Sequence, residues 1–222
     1  MNSNRAATIA QAAPFAAFIA LMGVERAVSL PEQVFYPIRL AVVVLLLAVL
    51  SRPYLRFRPT FPVTSVALGT IVFLIWIGPD VLIGYRHFWL FENALTGHAN
   101  SAIDPALRRN VPFIVVRVIG CALVVPVFEE LFWRSWLMRW LVKPDFLAIP
   151  FGFYTASAFW TVAALFAAEH GPYWEVGLAA GILYNWWAVR TRNLADCIVA
   201  HAVTNALLSV YVLLSGRWEY WL

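Results

Sequence analysis

Three clusters of polar and ionisable residues interrupt otherwise apolar stretches of this 222-residue chain, each with helical spacing. The first is Val127-Phe128-Glu129-Glu130-Leu131-Phe132-Trp133-Arg134. Glu130 and Arg134 are four apart with the acid first, the favourable order for an ion pair on a helix. Glu129 is turned about 100° from Glu130, so one carboxylate can be neutralised while the other stays available as a general base. The second is Phe166-Ala167-Ala168-Glu169-His170, followed by Gly171-Pro172; it puts Phe166 and His170 on one face. The third, His201-Ala202-Val203-Thr204-Asn205, does the same for His201 and Asn205. Taken singly, each has a structural explanation: a packing salt bridge, a helix cap with Glu169 as a solvated rim charge, an interhelical hydrogen-bond pair. Taken together they are the parts of a hydrolytic site. A carboxylate and a histidine can deprotonate a water. A second histidine and an amide can donate to a tetrahedral oxyanion, and such donors gain strength where water is scarce.

The elements that must position these groups are membrane helices. The chain is 62% hydrophobic and 13% charged, with a mean hydropathy of +0.74; soluble domains are nearer a quarter charged. A spanning helix needs about 20 apolar residues, and candidate spans are Ala7–Gly23, Phe35–Leu50, Val63–Gly84, Val111–Leu141, Phe151–His170, Tyr173–Val189 and Ala195–Leu214. The expected fold is all-α: a polytopic transmembrane bundle of seven to eight helices around a polar intramembrane cavity. It forms a single membrane domain over 1–222, with a motif-bearing core at about 111–214. The first apolar run is read as an uncleaved first helix rather than a signal peptide. The connection from Tyr85 to Asn110 reads as an exposed loop. The bias of Arg5, Arg52, Arg56, Arg58, Arg139, Lys143, Arg190 and Arg192 favours an inside N-terminus.

The clusters converge only if the fifth span stops at mid-membrane. Gly171-Pro172 supplies the break, and irregular backbone is tolerated at that depth where it lines a wet cavity. Tyr173 and Trp174 are expected near the rim of that cavity.

Several chemistries are excluded. The net charge of +4 comes from arginines between apolar runs, and no basic arm stands apart, so no nucleic-acid partner is expected. There is no HExxH and no GxSxG. Asp80, after Gly78-Pro79, is read as a helix-kink partner; Arg39, Arg117 and Asn185 as packing or snorkelling residues. Cys121 and Cys197 read as buried thiols, with no disulfide and no thiolate metal site.

The ordered set Glu129-Glu130-x-x-x-Arg134, Phe166-x-x-x-His170 and His201-x-x-x-Asn205 resembles the three motifs of the CPBP family, which includes CAAX prenyl endopeptidases and bacterial immunity-type (Abi) membrane proteins. The chain as a whole is similar to the exosortase-associated, CAAX protease-related bacterial branch. The resemblance implies an intramembrane endopeptidase of the bacterial inner membrane, acting on a membrane protein or lipidated peptide. It implies that Glu129 and His170 activate the water, that His201 and Asn205 form the oxyanion hole, and that Glu130, Arg134 and Phe166 support them. No cofactor is expected. If a metal is used, zinc on Glu129, His170 and His201 is the set that ligand chemistry allows. The rival readings are a non-enzymatic immunity-type protein that binds a partner and a transporter; a transporter would show internal repeats, and none is visible.

Overall fold

With lipid as solvent, every backbone N–H and C=O must be satisfied within its own segment, and helices do this for a chain of this patterning. The computed structural model describes residues 3–28, 30–101 and 103–221, and no strand occurs among them. Seven helical rods follow one another: α1 (Ser3–Val28), α2 (Glu32–Tyr54), α3 (Pro62–Ile83), α4 (Val111–Trp140), α5 (Ala156–Glu169), α6 (Trp174–Thr191) and α7 (Leu194–Ser215). α1 to α4 and α7 are long and apolar enough to cross a membrane. The expected helices are thus all present, but α5 is short. Its 14 residues span roughly 21 Å at 1.5 Å per residue, against a hydrocarbon layer of about 30 Å.

Local chemistry sets the ends. Asn110, Thr155 and Asn193 cap α4, α5 and α7 by accepting from Phe113, Ala158 and Ala195 amides, as short polar side chains do for the first free N–H groups. α5 stops at Glu169; after His170 the chain makes a 3-10 turn over Gly171–Tyr173 and starts α6 at once. Pro172 cannot extend the preceding helix.

α4 carries the first motif and is not uniform. Gly120–Val124 and Leu131–Leu137 are hydrogen-bonded in the wider π register, on either side of Val125–Glu130. π segments often mark functional sites, and here the sequence supplies a cause for the first. The Val125 amide donates to the Gly120 carbonyl, five residues back. The next residue is Pro126, which has no N–H to give, so the Cys121 carbonyl needs a partner from elsewhere.

Two helix pairs frame the site, α3 with α7 and α5 with α6. α3 and α7 approach closely at Gly69, where an added Cβ would lie 2.3 Å from the Ala200 carbonyl oxygen. Thr204 on α7 donates to the Gly69 carbonyl across this contact, at 2.8 Å. Small residues that let backbones meet, joined by hydroxyl hydrogen bonds, drive helix association where lipid removes the hydrophobic drive. On the far side of α4, α1 and α2 pack through Val43, Leu47, Phe128 and Leu131, with Phe15 stacked on Phe132 at 4.1 Å. Arg39 pairs with Glu25 at 3.0 Å and Arg117 with Glu32 at 3.6 Å, so both arginines are partnered, as expected.

The α3–α4 connection departs from expectation. It is no exposed loop throughout: Arg86, Ala99, Ile103 and Leu107 are buried. The cause is an acid–base pairing that the spacing hides. Arg86 binds Glu175 at 2.9 Å and the Pro172 carbonyl at 2.9 Å, which draws the connection down onto the start of α6.

Candidate active site

Glu129 and Glu130 leave α4 in different directions, as their 100° offset requires. Glu130 is fully buried. Its Oε1 accepts from Arg134 Nη1 at 3.0 Å and from His201 Nδ1 at 2.9 Å. Arg134 in turn donates through Nε to Asn185 Oδ1 at 3.1 Å, and Asn185 Nδ2 donates to the Phe159 carbonyl at 2.8 Å. The guanidinium also lies over the Phe166 ring, 4.6 Å from its centroid. Glu130 is therefore the neutralised carboxylate, and Arg134 and Asn185 hold it. Asn185, read as a packing residue, belongs to this chain of contacts.

Glu129 is the carboxylate left over. Its Oε2 is buried with no hydrogen-bond partner among the described residues, and it stands 4.0 Å from His201 Nε2. A buried acceptor with no structural use costs stability, and a bound water would satisfy it.

The two histidines have fixed orientations. His201 donates from Nδ1 to Glu130, which leaves Nε2 facing Glu129. Its ring is stacked on Tyr184, 5.0 Å between centroids and 23° between planes. His170 ends α5, with Nδ1 2.6 Å from the Phe166 carbonyl oxygen. That contact commits Nδ1 as the donor and leaves Nε2 as an acceptor. Trp76 packs edge-on against the His170 ring at 5.2 Å. The Cα of Gly177 faces His170, and a Cβ there would come within 3.2 Å of the imidazole. Phe166 thus contacts His170 through its backbone carbonyl and Arg134 through its ring.

Asn205, on α7, donates from Nδ2 to the Cys121 carbonyl at 2.9 Å. This is the carbonyl that Pro126 leaves without a backbone donor. One amide hydrogen is thereby spent on α4, and the second remains for another acceptor.

Glu129, His170, His201 and Asn205 line a single cavity of about 170 Å³, whose lining also includes the aromatic residues Trp76, Tyr173, Tyr220 and Trp221. Cys121 also lines it and is half-buried, while Cys197 is fully buried. The expectation of two buried thiols is corrected for Cys121, because the π segment turns its side chain to the cavity. Tyr173 is deeper than the rim, being almost fully buried. Trp174 is not in the lining: it stacks on Phe91 in the α3–α4 connection at 6.1 Å, because α6 begins there and rotates it outward. Glu169 is exposed at the end of α5. Among the described residues, no three His, Cys, Asp or Glu side chains form a metal-holding group.

Trp76, Tyr184, Tyr220 and Trp221 escape sequence reasoning, since aromatic residues in an apolar chain have no contrast. Asp80 is more than a kink partner. It binds Arg86, Arg217 and Tyr220.

Comparison with known proteins adds one finding. No curated protein and no solved structure matches the chain. Residues 111–207 match the family model described as Type II CAAX prenyl endopeptidase Rce1-like, a stretch that contains all three motifs. Over that segment the chain is similar to the CAAX prenyl endopeptidases, and the match supports an integral membrane protein of the CAAX-protease type.

Proposed function

We propose that this chain is an intramembrane endopeptidase that hydrolyses a peptide bond with a water activated by Glu129 and His170. The observation that carries the reading is the position of Glu129: of the two adjacent carboxylates it is the one that lines the cavity shared by both histidines and Asn205, with Oε2 buried and free of hydrogen bonds among the described residues. A water between Glu129 and His170 Nε2 gives up a proton, and the hydroxide oxygen attacks the scissile carbonyl carbon. The oxyanion accepts from the second Asn205 amide hydrogen and from Nε2–H of His201 in its imidazolium form, the form that carries a proton on Nε2 while Nδ1 donates to Glu130. Glu130 on Nδ1 and Tyr184 under the ring keep that imidazole aimed. When the tetrahedral intermediate collapses, the C–N bond breaks and the abstracted proton passes to the leaving amine.

The substrate approaches from the bilayer, as a membrane protein or a lipidated peptide, and the chain resides in a bacterial inner membrane. Proteomic comparison of membranes carrying wild type or Glu129→Gln tests the reading. Peptide termini present with wild type alone support it. An intact biological phenotype in Glu129→Gln would instead favour a partner-binding, immunity-type role. A chelator decides the zinc alternative on Glu129, His170 and His201. Activity of the pure protein that survives chelation supports the metal-free mechanism.

A further inference from the structure

After α7 the chain turns at Gly216, whose φ of +71° suits glycine, and residues 217–221 bring Tyr220 and Trp221 into the lining of the cavity. The segment is clasped at several points. Arg217 Nη2 donates to Asp80 Oδ2 at 3.0 Å, and the Tyr220 hydroxyl donates to the same oxygen. The Tyr173 hydroxyl donates to the Glu219 carbonyl at 2.9 Å. The Arg86 amide donates to Asp80 Oδ1 at 3.2 Å. Tyr220 and Trp221 are each 4% exposed and line the cavity that holds Glu129 and His201.

None of the three motifs uses Asp80, Arg217, Tyr220 or Trp221. An aspartate on a membrane helix is costly and needs a purpose beyond packing. Here one of its partners, Tyr220, lines the cavity, and another, Arg217, begins the segment that carries Tyr220. The cavity lining therefore combines acid, imidazole and amide groups with indole and phenol rings, Trp76 lying against His170 and Tyr184 against His201. Aromatic walls bind apolar side chains and set their size, while a few polar groups fix orientation. Arg117, which also lines the cavity, lies over the Tyr36 ring and is paired with Glu32.

We propose that residues 217–221 are the substrate-selecting wall of this cavity: Tyr220 and Trp221 admit an apolar side chain of limited size beside the bond to be cut, and Asp80 holds the wall in place. The selecting role rests on the peptidase reading; the closing role does not, and it can be measured without any cleavage.

The two native cysteines supply the probe. Cys121 lines the cavity and Cys197 is fully buried. The full-length protein in mixed micelles is labelled with N-ethylmaleimide or the larger N-(1-pyrenyl)maleimide, and adducts are counted by mass spectrometry. Wild type should admit the small reagent to Cys121 and exclude the large one. Trp221→Ala should raise the large-to-small labelling ratio on the order of tenfold, the factor that about 1.4 kcal/mol of lost closure gives. Trp221→Phe should restore the wild-type ratio. Arg217→Gln, at a residue whose side chain is 35% exposed, should raise both rates by loosening the clasp on Asp80. Cys197 reports the fold; if Trp221→Ala exposes it, Trp221→Leu replaces that variant. An unchanged ratio in the Trp221 variant overturns the wall. Glu129→Gln should label as wild type does, which separates a failed wall from a failed peptidase. Digestion of a synthetic peptide library in the same micelles completes the test. Bulkier side chains accepted beside the cut by Trp221→Ala support selection, and an unaltered profile with altered labelling overturns it.

Discussion

Replacing Arg134 by methionine should split stability from catalysis in a way that only a buried charge network explains. Arg134 joins Glu130 to Asn185, and all three side chains are out of reach of solvent. Methionine would leave the Glu130 carboxylate with His201 Nδ1 as its one remaining partner, and Asn185 Oδ1 with none. Breaking a buried pair from one side costs about 3–5 kcal/mol, which for a chain of 150–250 residues is a fall in Tm of roughly 6–20 °C. Removing both charges, in Glu130→Leu/Arg134→Met, removes the uncompensated ion and should recover most of that loss. An ordinary interhelical hydrogen bond in a membrane bundle is worth about 0.6 kcal/mol. The cycle must therefore return a coupling of about 2 kcal/mol or more to exceed it. Unfolding can be followed by the intrinsic fluorescence of the 11 tryptophans. Activity should behave oppositely and stay lost in the double variant, since His201 has no acid on Nδ1 to aim it. A single variant within about 1 kcal/mol of wild type, or a double variant no more stable than the single one, would refute the assignment of Glu130 as the neutralised carboxylate.

Other outcomes follow from the same contacts. Glu129→Gln should cut turnover by about 10²–10⁴ by removing the general base, while the melting temperature stays at or above that of wild type, because Oε2 makes no hydrogen bond to lose; peptide turnover and thermal unfolding read the two effects. Pro126→Ala should return a backbone N–H to the Cys121 carbonyl and release the Asn205 amide, lowering turnover by about 10²–10³ as for a misplaced oxyanion donor without loss of Tm. Glu92 lies outside the spanning segments, and burial opposes its ionisation. The His87 hydrogen bond, the Ala99 amide and the nearby His98 outweigh that and hold its carboxyl below the usual 4.5. A depressed carboxylate contributes stability that is present above its unfolded value and lost as pH falls through the folded one. The protection of residues 87–99 against hydrogen exchange, taken relative to the intrinsic rate at each pH, should therefore fall below about pH 4.5, and Glu92→Gln should abolish the step.

Much of this was legible in the residues. Acid before base at four-residue spacing gave the Glu130–Arg134 pair, and the leftover carboxylate is Glu129, as the 100° offset demands. Gly171-Pro172 told where α5 had to end. What stayed hidden depends on partners far along the chain. The donation of Asn205 to Cys121 follows from a proline, but only once α7 is known to lie against α4. The tryptophans and tyrosines that line the cavity come from α3, α6, the turn before it and the segment after α7, where they look like any other lipid-facing residue. Asp80 and Arg217 are 137 apart in sequence, a pairing that no local periodicity announces. The burial of the α3–α4 connection hangs on Arg86 meeting Glu175, an equally distant match.

The shortness of α5 has a consequence for the surrounding lipid. A 14-residue rod cannot match a bilayer core built for about 20 residues. The acyl chains beside it must compress or tilt to meet it, at a cost of fractions of a kcal/mol per Å. With α5 read as facing lipid along its exposed side, that thinning is centred beside the helix and so beside His170. On the peptidase reading, a peptide bond arriving there has less hydrocarbon to traverse before it meets water, which makes bilayer thickness a variable of the proposed reaction. Lipids with longer tails oppose the dimple and shorter ones relax it, which on the same reading ties the proposed cleavage to the composition of the surrounding membrane.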